Sequence, residues 1–144
     1  MLKWNQLNQQ LETVANRHLQ LAGRFQIFAK FVTEQVTAQN FHIKDISASL
    51  HLEENYFTTT FVGRTLRFAF SSALSENGSL LGAVTCALMK DDPEKSLDPV
   101  GEFTFTGNGK TNLIAPDDGD PIIIDDDIPA LYVGLHFIHE SLSK

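Results

Sequence analysis

The chain has 144 residues, 42% of them hydrophobic and 20% charged, a balance that excludes the disordered and fibrous classes and fits one domain with one core. Its net charge of −7 is uneven: residues 1–72 carry seven Lys/Arg against five Asp/Glu, and residues 73–144 carry four against thirteen. That acidic second half argues against nucleic-acid binding through a general basic surface and favours a basic protein partner.

The first segment carries a heptad pattern. Trp4, Leu7, Leu11, Val14, His18, Leu21, Phe25, Phe28 and Val32 follow alternating spacings of three and four, with only His18 breaking the apolar character. Residues 4–22 present a narrow seam, which suits one neighbouring helix. From Phe25 the face widens through Ile27, Ala29 and Phe31, which suits burial against a sheet. One helix over residues 3–38 would span about 54 Å, longer than a domain of this size is wide. It must overhang, making residues 1–22 a projecting helical arm for a partner helix or a homodimer, or break at Gly23. The unbroken heptad phase favours the overhang.

Alternation of apolar and polar residues predicts strands over Phe41 to Leu52, Tyr56 to Val62, Arg64 to Leu74, Leu80 to Met89 and Val100 to Thr106. Asn77-Gly78 predicts a type I′ turn between the third and fourth. Lys90 to Pro99, with two prolines, reads as a loop. Asn112 to Asp127 reads as an acidic loop in which Ile122 to Ile124 form a short edge strand. Asp127 then caps a final helix with Ile128, Leu131, Leu135, Ile138 and Leu142 on one face. The sum is an α+β domain: a meander-like antiparallel sheet of five or six strands, with a long N-terminal helix and a C-terminal helix on one face.

Six aspartates lie between Asp117 and Asp127. Asp117, Asp118 and Asp120, with Pro121 following, do not match an EF-hand loop, and with Asp125 and Asp126 they are better read as a docking surface for a basic partner. His136 and His139 stand at i and i+3, a weak metal pair that needs a third ligand and matches neither HExxH nor its inverse. Arg67 is the candidate anion clamp of the sheet, with a cross-strand carboxylate as the ordinary alternative. Arg64 shares the parity of the inward face unless a bulge intervenes.

Glycine-rich phosphate loops and GxSxG are absent, and no cofactor is implied. Cys86, the single cysteine, lies in an apolar run and reads as a core residue. MLKWNQLNQQ has no secretory apolar region and no stretch reaches a membrane span, so the expected location is cytoplasmic.

The leading expectation is a non-enzymatic protein-binding module of the adaptor, chaperone or immunity type. It would use Trp4, Leu7, Leu11, Val14 and His18 together with the acidic half. Two alternatives stand beside it: a pocket for a small apolar ligand between the Phe-rich sheet and the helices, and a metal-dependent enzyme built on His136, His139 and the Asp loop.

Overall fold

A computed structural model describes Met1–Lys144. The order is α1 (Trp4–Thr37), β1 (Ile46–His51), β2 (Tyr56–Phe61), β3 (Arg64–Leu74), β4 (Leu80–Met89), β5 (Leu97–Phe105), β6 (Lys110–Ile114), β7 (Pro121–Ile123) and α2 (Asp127–Ser141), with a single 3₁₀ turn at Leu52–Glu54. The seven strands form one antiparallel sheet in chain order. That is one or two strands more than the alternation suggested: β6 starts just before the expected acidic loop and runs into it, and β5, though expected, begins earlier, within the charged connector.

α1 runs unbroken through Gly23, where an added Cβ would meet no other part of the protein within 4 Å. Its apolar stripe divides sharply. Leu21, Phe25, Phe28 and Val32 are fully buried, whereas residues 1–17 are all exposed. His18 is the first residue of the helix to meet the sheet, Leu19 and Gln20 are exposed again, and the stripe is continuously buried from Leu21.

The core is phenylalanine on phenylalanine. Phe57 and Phe68, opposite each other on β2 and β3, stack with centroids 4.6 Å apart. Phe28 of α1 stands edge-on to Phe57 at 5.5 Å and to Phe103 at 6.1 Å. Such tilted and T-shaped pairs match ring edges to ring faces and stabilise beyond the area they bury.

The turns differ from expectation. At Asn77-Gly78 only Gly78 has positive φ; the Gly78 amide donates to Ser75 O (3.0 Å) and the Ser75 amide to Ser79 O (2.8 Å), a type I turn closed by a left-handed glycine. Thr106 to Lys110 repeats the arrangement with Asn108 and Gly109. In both, the asparagine Oδ1 accepts an amide two residues on, from Ser79 and from Lys110. The two-residue turn with positive φ at both central positions is instead Val62-Gly63, at 47° and 79°, between the paired Phe61 and Arg64. This turn alone reverses the inward parity of β2 and β3, so no bulge is needed.

A bulge does occur later. Cys86 pairs with Gly101 but Ala87 with Pro99, leaving Val100 unpaired. Because β6 meets β5 only near Phe105, Pro99 lies where β5 is an outer strand and its missing amide goes unneeded.

α2 begins after Asp126 rather than Asp127. It buries Ala130, Val133, Gly134, Phe137 and Ile138, while Ile128 is 79% exposed. The stripe expected from the large residues is rotated, because the buried face uses Ala130 and Gly134 to approach α1. A Cβ at Gly134 would stand 3.0 Å from Val32 Cγ1.

Candidate functional site

The first candidate site is the exposed start of α1. Gln6 Oε1 accepts the Lys3 amide at 3.3 Å, a local end to the helix. Trp4 is 75% exposed, Leu11 59% and Val14 45%, with Leu7 also exposed. These four residues continue, along one helix face, the stripe that the sheet buries from Leu21 onward. His18 is not part of the free seam. It is half-buried against Phe70, with Nδ1 hydrogen-bonded to the Ser72 hydroxyl. Leu74, of the same inward parity as Ser72 and Phe70, is 69% exposed at the end of β3. Its cross-strand partner Leu80 is partly buried against the core, so Leu74 alone stands uncovered at this end of the face.

The exit of α1 is fixed by polar contacts to the other side of the fold. Arg24 Nη1 donates to Asp125 Oδ2 at 2.6 Å and its Nε to Gly107 O at 2.7 Å, and Gln20 Nε2 donates to the same carbonyl at 3.1 Å. Asp125 is therefore a structural partner of Arg24, which sets it apart from the rest of the expected acidic surface. Asp126 precedes α2 without a side-chain cap bond. Asp117, Asp118 and Asp120 lie in the exposed β6–β7 connection, where Asp118 Oδ1 accepts the Asp120 amide at 3.0 Å. β6 runs from the Gly107 turn toward that connection, so these three carboxylates stand at its far end from the base of α1.

His136 lies beside Tyr132 and Phe137, and His139 borders a groove of about 180 Å³ lined by Ile43, Ile46, Phe61, Leu135, Ile138 and Leu142. No group of three or more metal-ligating side chains contains either histidine. The groove is at the rim of β1 and β2 and holds Phe61 alone among the phenylalanines; Phe25, Phe28, Phe57, Phe68, Phe70, Phe103, Phe105 and Phe137 are buried in the core.

Arg64 and Arg67 point to opposite faces. Arg64 reaches the helix side and donates through Nη2 to the carbonyls of Ser141 (2.8 Å) and Lys144 (2.6 Å), closing the end of α2. Arg67 is on the outer face, with its guanidinium carbon 4.4 Å from the centre of the Tyr56 ring. It has no cross-strand carboxylate: Thr58 and Ala87 are its direct neighbours on β2 and β4. Sequence reasoning missed Tyr56 and His51 here, because their approach depends on the register set by Val62-Gly63.

Cys86 is buried opposite Phe68, and burial pushes its thiol well above the usual range. No helix is long and apolar enough to cross a membrane. No protein-family model matches the chain, and neither a curated protein nor a solved structure is significantly similar to it.

Proposed function

We propose that the protein is a non-enzymatic binding module that holds an amphipathic helix of a basic partner protein against the exposed start of α1. The single observation behind this reading is that Trp4, Leu7, Leu11 and Val14 remain exposed on a helix whose continuing stripe is buried from Leu21 onward. A narrow apolar seam at heptad spacing is complementary to one further helix. Its flanks are largely Asn5, Gln6, Asn8, Gln9, Gln10, Thr13 and Asn16, uncharged donors and acceptors that suit the rim of such a contact, with Lys3, Glu12 and Arg17 the charged residues of the same segment.

Charge selects between occupants. A net charge of −7 opposes bringing two copies side by side and attracts a basic chain, with Asp117, Asp118 and Asp120 adding to the long-range field. The partner is thus a different protein, and a second copy is the competing outcome.

The test is retention of host proteins by the wild type and by the double variant Leu7→Ser, Leu11→Ser, at low and moderate salt, with light scattering on both. The expected result is one partner held by the wild type, released as salt screens the charges and lost in the variant, whose melting temperature is unchanged. Equal retention by both proteins, or a wild-type dimer that the variant converts to a monomer, contradicts the proposal.

A further inference from the structure

We infer that the outer face of the sheet carries a small oxyanion site centred on Arg67, a site for a carboxylate or phosphate group independent of the helical seam. The chain has four arginines, and three have protein acceptors: Arg17 donates to Gln20 Oε1, Arg24 to Asp125 and Gly107 O, and Arg64 to the carbonyls of Ser141 and Lys144. Arg67 is the exception. It has no protein acceptor and joins none of the ion pairs, and its Nε, like that of Arg64, is shielded from solvent with no acceptor.

The guanidinium is nonetheless held in place. It lies over the Tyr56 ring at 4.4 Å, and that ring is stacked at 4.5 Å and 13° on the imidazole of His51, whose Nε2 is 3.3 Å from Ser49 Oγ. Three side chains from β1, β2 and β3 thus form a row. The aromatic plate takes one face of the cation and leaves its in-plane Nη donors for a ligand.

The surroundings lack anything that would occupy those donors. The neighbours of Arg67 on the outer face are Thr58 across β2, Ala87 across β4, and Thr65 and Ala69 along its own strand. Glu102, an acid of this face, pairs with Thr85 on the far side of β4, two strands over and one row along, with its backbone roughly 12 Å from that of Arg67 at ordinary strand spacing, and no ion pair joins the two. A cation that is partly desolvated, rigidly held and unpaired has lost hydration without gaining a partner. An oxyanion with two oxygens in the guanidinium plane supplies the missing acceptors through a bidentate pair. The low Ala87 and Ala69 side chains leave room for it.

The experiment uses the full chain labelled with ¹⁵N, following the arginine Nε–Hε cross-peaks while inorganic phosphate and, separately, acetate are added at constant ionic strength. The inference expects a saturable shift of the Arg67 cross-peak in the millimolar range while those of Arg17, Arg24 and Arg64 stay in place. Saturation by phosphate alone marks a phosphate site, and saturation by both marks a general carboxylate or phosphate site. Tyr56→Leu, which removes the plate, is expected to weaken binding at least threefold. Arg67→Gln, followed through the Thr58 and Ala87 amides, is expected to abolish it. No shift at Arg67, a linear shift without saturation, equal movement of Arg17, or unchanged affinity in the Tyr56 variant overturns the inference.

Discussion

Arg24 and Asp125, 101 residues apart in sequence, meet through a 2.6 Å Nη1–Oδ2 contact at the place where α1 leaves the sheet. With side chains 28% and 17% exposed, the pair is sheltered enough to count and still wet enough to avoid the full desolvation cost of a buried ion pair. Because Arg24 also bonds Gly107 O, Arg24→Ala leaves a carboxylate and a carbonyl short of a donor. It is expected to cost about 1–3 kcal/mol in urea unfolding. The Asp125→Asn variant costs less, and a double-mutant cycle returns a nonzero coupling.

Val62 sits at φ 47°, in the left-handed region that a β-branched side chain disfavours, and is 53% exposed with no core role. Val62→Asn keeps the amide that donates to Asp45 O at 3.1 Å and removes the strain. Type I′ turns favour Asn-Gly, so thermal unfolding is expected to show a gain of about 1 kcal/mol.

Two glycines give opposite outcomes. Gly23 lies inside α1 with open space around it, so Gly23→Ala is expected to stabilise by up to about 1 kcal/mol from helix propensity alone. A Cβ at Gly82 would run into the ring of Phe105, which is 1% exposed. Gly82→Ala is therefore expected to destabilise by about 1–3 kcal/mol through overpacking. Parallel melting curves check both.

Burial raises the Cys86 thiol pKa, so the native chain keeps that proton above the pH at which the unfolded chain releases it. Above about pH 8.5 the unfolded state binds fewer protons than the native one, and stability falls as pH rises. The contribution is fully present below pH 8. The slope approaches about 1.4 kcal/mol per pH unit and is missing from Cys86→Ala, as urea titrations of both proteins between pH 7 and 10 would reveal.

Legibility in the sequence followed how strongly a segment's large residues reported its buried face. β3 and β4 alternate cleanly, and Leu66, Phe68, Phe70, Val84 and Cys86 are all buried. β6 was invisible because an inward position is Thr111, 5% exposed, whose hydroxyl is satisfied by Ile122 O at 2.7 Å, so no apolar period appears. α2 was misread for a related reason: Ala130 and Gly134 mark its close approach to α1 yet carry almost no hydropathy. The seam at Trp4, Leu7, Leu11 and Val14 was readable as a pattern, but where burial begins was not, since the stripe is continuous and only the extent of the sheet ends it at His18. The Arg67 stack could not be read at all, being a diagonal relation between strands that exists only once the register is fixed.

The most direct test of the account places a photo-activatable amino acid at position 11, on the exposed seam, and at position 97 on β5 as a control, since Leu97 is also exposed at 45%. After irradiation in the host, the account predicts a discrete adduct to one other protein from position 11 and none from position 97. Adducts of equal pattern from both positions, or an adduct from position 11 only to a second copy of this chain, would contradict it.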